Sequence, residues 1–315
     1  MHHQGGAGPG GGQGAARGIP ARRVNLARVR APASSANLGP GFDVLALALD
    51  LWLEVEARPA AGFRIDWRGE GAGEVPLDET NLILRAAQED WEKRLPGIEL
   101  RVRNAIPIAR GLGSSAAAVV AGIQVGARLR GLRLSRLEAL KAAHRFEGHD
   151  DNLAAALFGG LCIVAPRADG PVVHRLDWPT RWKAVLFVPD AVSPTHEVRR
   201  LVPARPERSD AIFNMSRVAE WVLAVTRRDR QLLASAMEDR IHQPARSQAY
   251  PYLPELIAAA LEAGALGAAL SGAGGSVIAI VDRKGTDVGR AMLAAARRHD
   301  VSGRMLPLDP LIRRP

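Results

Sequence analysis

The chain has 315 residues, of which 47% are hydrophobic and 24% are charged, and its formal net charge is +9. Since domains typically hold about 100–200 residues, this length predicts two domains or one large one, and the apolar content excludes a chain that is disordered throughout. No uncharged apolar run of about 18 residues occurs, which argues against a transmembrane helix. Cys162 is the single cysteine, so an internal disulfide is excluded.

The positive charge is almost entirely arginine, because only four of the 42 basic residues are lysine. A basic chain can bind nucleic acid or an anionic ligand. Here the arginines are scattered, and aromatic residues, which stack on bases, make up only 4% of the chain. We therefore expect no nucleic-acid partner and read the arginine content as a GC-rich genome composition. The start lacks the apolar core of a signal peptide, which predicts a cytoplasmic protein without a membrane partner.

The first half alternates between predicted strands and helices after a glycine-rich start. Residues 1–20 predict a flexible tail. A strand from Leu26 is predicted to break at Pro32, before a Gly/Ser/Asn/Pro loop over residues 34–41. The elements predicted after this loop are strands from residues 51, 63 and 98, a helix over residues 80–94, a largely apolar helix from residue 116, a helix capped by Ser135 that ends near residue 146, and a buried strand after the Gly-Gly turn at residues 159–160.

A polar stretch around residues 166–171 predicts a boundary between a first domain, residues 21–170, and a second, residues 171–315. The elements predicted in the second half are a strand from residue 183, helices over residues 209–227 and 230–240, a helix from residue 254, a strand pair around residues 271–275, and a helix over residues 287–298. Mixed strands and helices in both halves predict the α+β class.

The strongest local motif is the Gly-Leu-Gly-Ser-Ser run over residues 111–115, directly before the apolar helix. Glycines let the backbone turn tightly and approach a ligand. The first N–H groups of a helix have no partner within it, and its dipole is positive there, so the motif suits a phosphate. It lacks the Lys-Ser/Thr pair of a Walker loop. An ordinary turn before a buried helix is the alternative.

Three further segments carry polar side chains that suit a ligand site. Residues 32–43 place Asn37 and Asp43 beside glycines, where they either face a ligand or serve only as turn formers. The acidic segment EGHDDN, residues 147–152, offers oxygen ligands for Mg²⁺, with helix capping as the alternative. The SGAGGS segment, residues 271–276, predicts a backbone that closely approaches a ligand or another strand.

Taken together, these segments resemble the GHMP family of small-molecule kinases. The segments that carry the resemblance are APASSANLGPGFDVLALAL from Ala31, PIARGLGSSAAA from Pro107, EGHDDNLAAALFGG from Glu147 and THEVRRLVP from Thr195. The resemblance runs from about Val29 to the SGAGG segment and so covers most of the chain. Each segment alone is a weak signal, whereas their occurrence in this order is a strong one.

The resemblance implies ATP and Mg²⁺ as cofactors and L-homoserine as the acceptor alcohol, in a reaction that serves threonine biosynthesis. It also implies an ATP-binding N-terminal α+β domain with a left-handed β-α-β crossover, against the general rule for such units. A ferredoxin-like C-terminal domain would follow, with the site between the two domains. A homodimer is what relatives of this kind suggest.

The resemblance assigns roles to single residues. ATP would be bound by the loop and the start of its helix, namely Pro107, Ile108, Ala109, Arg110, Gly111, Leu112, Gly113, Ser114, Ser115, Ala116 and Ala117. Ser115 and Glu147 would be ligands of Mg²⁺. Homoserine would be bound by Asn37, Asp43, His149, Asn152, Arg199 and Arg246. The arginine forks suit its carboxylate, and Asp43 suits its ammonium or hydroxyl end.

The sequence departs from the family pattern at two positions. Asp150 and Gly275 each replace a proline that is usual in the EGHPDN and SGAGPS patterns of the family. Both changes loosen the backbone, and neither removes a chemical group. The departures therefore concern the rigidity of these loops more than the reaction.

Phosphoryl transfer mainly needs in-line positioning and neutralisation of charge. Asp43 is the candidate base, and the alternative is that the γ-phosphate itself accepts the hydroxyl proton. Two other functions compete with this reading. The first is another GHMP kinase acting on a mevalonate-type alcohol, and the second is a basic nucleic-acid-binding protein whose affinity would fall steeply with salt.

Overall fold

The architecture comes from a computed structural model that describes residues 19–20, 25–88, 95, 97–193, 195–283, 285–313 and 315. Most of the predicted tail, residues 1–18, therefore lies outside the described residues. Its last two residues form a short strand, β1 (Ile19–Pro20), which pairs with β6 (Leu132–Arg133). The flexibility and the limits of the tail stay a prediction.

The first half of the chain is built on a six-stranded sheet. Its strands are β2 (Ala27–Asn37), β3 (Gly41–Pro59), β4 (Arg64–Gly69), β5 (Ile98–Asn104), β7 (Leu161–Ala165) and β8 (Val172–Leu176). The long strand β3 pairs with β2 along most of its length, with β5 at its C-terminal end and with β7 near its start. One strand thus connects all parts of this sheet.

The loop predicted over residues 34–41 is confirmed only as a turn at residues 38–40, because β2 continues to Asn37 and β3 begins at Gly41. Proline has no N–H to donate to a strand pairing, and the structure accommodates Pro32 by a register shift between Pro32 and Ala33. Strand β3 likewise begins at Gly41, ten residues before the predicted start. Its segment 45–49 is fully buried, so it lacks the alternation by which a half-exposed strand is recognised.

Strands β4 and β5 are parallel, and helix α1 (Leu82–Gln88) connects them. This is the β-α-β unit that the family resemblance implies, and its left-handed sense stays a prediction. The helix starts two residues later than predicted, because the side chain of Asn81 accepts a hydrogen bond from the Ile83 amide and so caps the helix. Residues 89–94 of the predicted helix lie outside the described part of the chain.

Three further helices cover this sheet, and the first is buried as predicted. They are α2 (Ser114–Leu129), α3 (Arg136–Glu147) and α4 (Asp151–Phe158). Twelve of the sixteen residues of α2 are buried, which explains its apolar sequence. Helix α3 begins at the predicted cap, where Ser135 and Glu138 exchange hydrogen bonds with each other's backbone amides. The glycine motif is therefore followed directly by a buried helix, α2.

The second half has the ferredoxin-like arrangement that the resemblance implies. Its antiparallel sheet consists of β9 (Trp182–Pro189), β10 (Gly267–Leu270), β11 (Val277–Asp282) and β12 (Gly303–Leu308). Their spatial order is β10-β11-β9-β12, and α9 (Leu253–Glu262) and α10 (Thr286–Arg298) complete a β-α-β-β-α-β unit. Two mixed halves confirm the α+β class.

Four other helices lie between β9 and α9, namely α5 (Thr195–Arg200), α6 (Arg208–Arg227), α7 (Leu233–Ala236) and α8 (His242–Arg246). The helix predicted over residues 230–240 is wrong beyond the short α7. Asp239 explains why, because its carboxylate accepts hydrogen bonds from the amides of Ile241, His242 and Gln243 and so starts α8.

The predicted domain division between residues 170 and 171 stays a prediction. Strand β8 pairs with β7, and so belongs to the first sheet. The end of the chain also returns there, since the Asp50 amide donates to the Asp309 carbonyl and the Leu311 amide to the Ala48 carbonyl. The pairing of β8 favours a division after residue 176. Within the described part of the chain, no helix is long and apolar enough to cross a membrane.

Candidate active site

A cleft of about 300 Å³ lies where the two halves meet. Most of the residues to which the sequence assigned a binding role line it: Asn37, Asp43, Ile108, Ala109, Gly111, Gly113, Ser114, Ser115, Ala116, Glu147, His149, Asn152, Arg199 and Arg246. A larger groove of about 1430 Å³ contains none of them and is walled mainly by arginine side chains of the first sheet and by α2 and α3. The chemistry-bearing side chains therefore converge on the smaller cleft.

One end of the cleft is the glycine loop at the start of α2. Gly111 and Gly113 have φ values of 77° and 69°, which side chains rarely adopt. Among the described residues no side chain caps this helix, so its first amides face the cleft without such a partner. A backbone donor cluster beside glycines is the arrangement that suits phosphate oxygens.

Four residues predicted to bind ATP do not line the cleft: Pro107, Arg110, Leu112 and Ala117. Leu112 and Ala117 are buried in the core, which anchors the loop. Arg110 donates hydrogen bonds to the carbonyl oxygens of Pro189 at 2.9 Å and Ile108 at 2.8 Å. Its guanidinium therefore joins the loop to β9, and a role of Arg110 in binding ATP stays a prediction.

The SGAGG segment closes one wall of the phosphate-loop end. Ser271 Oγ donates to the carbonyl of Gly111 at 2.7 Å, and a Cβ placed on Gly111 would lie 2.2 Å from the Ser271 carbonyl oxygen. The side-chain Nδ2 of Asn37 donates to the Gly272 carbonyl at 2.8 Å. The three glycine-rich segments thus pack on one another, and the close approach predicted for the SGAGG segment is an approach of backbone to backbone.

Ser115 and Glu147 meet beside the glycine loop. Ser115 Oγ donates a short hydrogen bond to Glu147 Oε1, and Glu147 Oε2 lies 3.6 Å from His149 Nε2. No group of three or more His, Cys, Asp or Glu side chains suited to a metal occurs in the described ranges. A hydroxyl and a carboxylate together are hard oxygen donors of the kind that Mg²⁺ shares with nucleotide phosphates.

Asp43 and Arg199 form an ion pair at the other end of the cleft. Arg199 Nη1 donates to Asp43 Oδ1 at 3.0 Å, and Nη2 donates to Oδ2 over a shorter distance. This hydrogen bond to Asp43 raises the pKa of Arg199. Asp43 has a φ of 57°, a backbone conformation that is rare for a residue with a side chain, and its backbone amide donates to Asn37 Oδ1 at 3.1 Å.

Arg246 is the most deeply buried charge in the cleft, with only 1% of its surface exposed. Its Nη1 donates to the Gly272 carbonyl at 2.8 Å, whereas its Nε has no hydrogen-bond partner within the described structure. Burial, with Arg199 nearby, lowers the pKa of Arg246 to about 10, so it still carries its charge at neutral pH. An unpartnered buried donor in a cleft points to a ligand.

Asp151 is a cleft residue to which the sequence gave no binding role. Only 2% of its surface is exposed, and its Oδ1 lies 3.1 Å from His149 Nδ1. This hydrogen bond raises the pKa of His149, against the opposing effect of burial. The adjacent Asn152 accepts a hydrogen bond from Ser34 Oγ at 2.8 Å, beside Gly113. In the sequence, Asp150 and Asp151 stand at the start of a helix and were interpreted as caps, so the contact between Asp151 and His149 was not predicted.

The sequence also missed an apolar wall next to the glycine loop. Its side chains come from the segment between β4 and α1 and from neighbouring strands: Leu53, Trp67, Val75, Pro76 and Leu82. Asn81 and Asn104 line the same wall, but their amide groups already bond to backbone atoms. A flat apolar surface beside a phosphate site suits an aromatic base. Only the turn glycines before residue 75 hint at it in the sequence.

Two family models match this chain, one in each half. The one described as "GHMP kinases N terminal domain" matches residues 81–160, and "GHMP kinases C terminal" matches residues 222–298. A protein of Desulfitobacterium hafniense named homoserine kinase is 37% identical over 283 residues, which cover 89% of this chain and 95% of that protein. The sequence likeness therefore extends across both halves.

Solved structures give the same result at the level of the fold. The crystal structure of homoserine kinase from Cytophaga hutchinsonii has a TM-score of 0.81 and 30% sequence identity, and the match covers 91% of this chain and 95% of that one. L. major mevalonate kinase in complex with R-mevalonate has a TM-score of 0.70 at 17% identity, covering 94% and 99%, and so shares the fold alone. Together with the extended sequence identity, these matches show that the chain belongs to the GHMP kinase family.

Proposed function

We propose that this protein transfers the γ-phosphate of ATP to the hydroxyl of L-homoserine and forms O-phospho-L-homoserine. One observation carries the proposal: a single cleft joins a glycine loop that suits phosphates to an end that carries Arg199, Arg246 and Asp43. The relatives named homoserine kinase, which match over nearly the whole chain, support this acceptor. The reaction would supply threonine biosynthesis.

The phosphates of ATP lie, in this proposal, against the exposed amides at the start of α2. Gly111 and Gly113 keep the loop free of side chains, so the backbone can contact the phosphate oxygens directly. Ser114 and Ser115 add hydroxyl donors, and both line the cleft. The base of ATP lies against the apolar wall formed by Trp67 and its neighbours.

Ser115 and Glu147 would hold Mg²⁺ together with oxygens of the bound nucleotide. Their oxygen atoms already lie within hydrogen-bonding distance of each other, and both are donors that Mg²⁺ prefers. When bound, the ion neutralises the charge of the transferring phosphate. Glu147 also lies near His149, with Oε2 at 3.6 Å from His149 Nε2.

The acceptor is a zwitterion, and the distal end of the cleft offers both signs of charge. The buried Arg246, with its free Nε, and Arg199 suit the carboxylate of homoserine. Asp43 suits the ammonium, and Asn37 holds the Asp43 backbone in place. His149 and Asn152 line the same cleft, and Asn152 lies beside Gly113, so in this proposal they position the acceptor hydroxyl near the γ-phosphate.

The contacts of Asp43 favour a binding role over that of a base. Both of its carboxylate oxygens accept hydrogen bonds from the fork of Arg199. In the proposed mechanism the hydroxyl proton passes to the γ-phosphate, while the residues of the cleft align the two substrates. Alignment and charge neutralisation account for most of the rate enhancement in such transfers.

A coupled assay of ADP release tests the proposal. We expect release that depends on L-homoserine and is at least about tenfold slower with mevalonate, D-homoserine or 4-hydroxybutyrate, each of which loses or misplaces a charged group. Faster turnover of mevalonate than of homoserine would contradict homoserine as the acceptor, while the assignment to the GHMP kinase family would still hold. Salt-sensitive binding of DNA or RNA without ATP turnover would favour the nucleic-acid alternative.

Localisation, assembly and domain limits are further parts of this proposal. We expect a cytoplasmic protein, as fits a chain with a single, buried cysteine and ATP as substrate. We expect a homodimer, which analytical ultracentrifugation would test by mass. We place the domain division after β8, and limited proteolysis near residues 177–181 would check that position.

A further inference from the structure

We propose that His242 is a positioning residue: by accepting a hydrogen bond from Arg246 through Nδ1, it turns the Arg246 guanidinium so that its Nε edge faces the acceptor carboxylate. The inference rests on the proposed function, in which Arg246 binds that carboxylate. His242 does not line the cleft and touches neither substrate. It acts through Arg246, which lies one helical turn further along α8.

The contacts of His242 define which ring nitrogen carries the hydrogen. The residue is fully buried, and its Nε2 lies 2.6 Å from the carbonyl oxygen of Gly39. A carbonyl can only accept, so Nε2 must be the donor. Burial lowers the pKa of His242 and keeps the ring neutral, so Nδ1 carries no hydrogen and must be an acceptor. Arg246 Nη1 lies 3.3 Å from that Nδ1.

These contacts leave one edge of Arg246 for a ligand. Nη1 directs its hydrogens to His242 Nδ1 and to the carbonyl of Gly272, at 3.3 Å and 2.8 Å. Nε is buried and has no partner among the described residues. The edge formed by Nε and Nη2 is one of the two forks with which a guanidinium binds a carboxylate. His242 and Gly272 thus fix the rotation of the group from the opposite side.

The surroundings hold the ring in this orientation. The carboxylate of Asp239 accepts hydrogen bonds from the amides of His242 at 3.0 Å and Gln243 at 2.6 Å, which fixes the start of α8. The Phe42 ring lies 5.5 Å from the His242 ring, and the Arg246 guanidinium lies 5.4 Å from its centre. One aromatic face therefore supports both side chains.

A competing explanation is that His242 only holds the turn at Gly39. Two substitutions separate the explanations, because each keeps one of the hydrogen bonds. The side-chain amide nitrogen of His242→Gln reaches the place of Nε2, so this variant keeps the bond to Gly39 and loses the acceptor for Arg246. The oxygen of His242→Asn reaches the place of Nδ1, so this variant keeps the acceptor and loses the bond to Gly39.

We expect His242→Gln to raise the KM for homoserine by about tenfold, which one charge-assisted hydrogen bond accounts for, with the KM for ATP changed less than about twofold. His242→Asn should raise the KM for homoserine less than about threefold, although its Tm falls at least as far. In an Arg246→Ala background, His242→Gln should add no further increase. Equal KM values in the two single variants, or additive effects, would overturn the inference.

A measurement on the unaltered protein guards against variants that fail to fold. The ¹⁵N chemical shifts of the His242 ring report which nitrogen is protonated, and we expect the Nε2–H form at neutral pH. The Nδ1–H form would overturn the inference by itself. A wild-type protein that releases no ADP with homoserine would defeat both proposals, whereas an active one with the wrong tautomer would defeat only this one.

Discussion

The two ends of the cleft are built in different ways. The phosphate-loop end comes from one continuous stretch, residues 108–116, and its donors are mostly backbone amides. The acceptor end depends on side chains from distant parts of the chain, since Asp43 and Arg199 are separated by 156 positions. Arg246 joins them from a third segment, and the carbonyl of Gly272 holds it there.

The difference teaches which kind of change each end tolerates. A site made of backbone amides is sensitive to the shape of the chain, so a single added methyl group can destroy it. A site made of charged side chains retains its shape when one charge is removed, and loses affinity for one substrate only. The variants below probe this contrast, from the largest expected effect to the smallest.

The largest effect should come from Gly111→Ala at the phosphate-loop end. The new Cβ would lie 2.2 Å from the Ser271 carbonyl oxygen and 2.7 Å from that of Gly274, so the loop must move. A displacement of about 1 Å can reduce turnover about 100-fold, and we expect at least that loss in kcat/KM for both substrates. Steady-state ADP release measures it.

Gly264→Ala is the matched control for this variant. Gly264 also has a positive φ, of 95°, but no atom lies within 4 Å of the added Cβ. The control therefore carries the backbone strain without the collision, and we expect its activity to stay within about twofold of wild type, because strain of this kind costs about 1–2 kcal/mol of stability. Equal losses of kcat/KM in both variants would show that the close packing of the glycine loop does not determine activity.

The second effect concerns the acceptor end, where Asp43→Asn and Arg199→Gln each break the ion pair. Removing one partner of a hydrogen-bonded charge pair costs about 2–5 kcal/mol, so we expect kcat/KM for homoserine to fall about 100-fold. The KM for ATP should change less than about threefold. The adjacent, exposed Arg200→Gln is the control and should behave as wild type.

The same kinetics distinguish the two roles of Asp43. If it binds the acceptor, Asp43→Asn raises the KM for homoserine while kcat at saturation stays within about tenfold of wild type. If it is the general base, kcat falls by about 100-fold or more while the KM changes little. The second result would contradict the mechanism in which the γ-phosphate accepts the proton.

A third, intermediate effect is expected for Glu147→Gln beside the glycine loop. The amide keeps the shape of the side chain and removes its charge, so the concentration of Mg²⁺ that gives half-maximal activity should rise about tenfold. Titration of activity with Mg²⁺ at fixed ATP measures this. The exposed Glu262→Gln controls for net charge, and an unchanged Mg²⁺ dependence in Glu147→Gln would exclude the carboxylate as a ligand.

The smallest effect is on the free energy of unfolding, and the test is whether the loss grows or shrinks as the pH rises. Asp151 raises the pKa of His149 in the folded protein, so the pair contributes stability that is complete below the ordinary histidine pKa of about 6.5 and is lost as the pH rises through the raised pKa. The free energy of unfolding lost in Asp151→Asn should therefore shrink as the pH increases from about 6 to 9.

Urea unfolding at several pH values measures this difference. Asp287→Asn is the control, because its carboxylate pairs with Arg290 at an exposed position and no histidine is involved. The difference between that variant and the wild type should stay constant over the same range. A loss in Asp151→Asn that grows with pH would contradict the proposed cause of the His149 pKa.

Much of the phosphate-loop end could be predicted from the sequence, because its conformation is set by neighbouring residues. Gly111 and Gly113 adopt the positive φ values that their residue type favours, and the apolar sequence after them forms the buried helix α2. The details of the loop were less predictable. Arg110 suggested a phosphate ligand, yet its guanidinium bonds to the carbonyl of Pro189 at the end of β9, which no local pattern indicates.

The acceptor end was predicted only through family resemblance, residue by residue. Nothing near Arg246 in the sequence distinguishes it from the many other arginines of this chain. In the folded protein it contacts Gly272 and Phe42, which are distant from it along the sequence. The same applies to Asp151, whose position at the start of α4 suggested a cap until its contact with His149 was known.

The amino-acid sequence by itself determined the α+β class, the glycine loop with its buried helix and the cap of α3, because each depends on backbone preferences and contacts within a few residues. Only the tertiary structure decided that β2 runs past Pro32, that Asp43 meets Arg199, and that the carbonyl of Gly272 accepts a hydrogen bond from Arg246. These features depend on strand register and on packing between distant segments, so no short stretch of sequence contains the interactions that produce them.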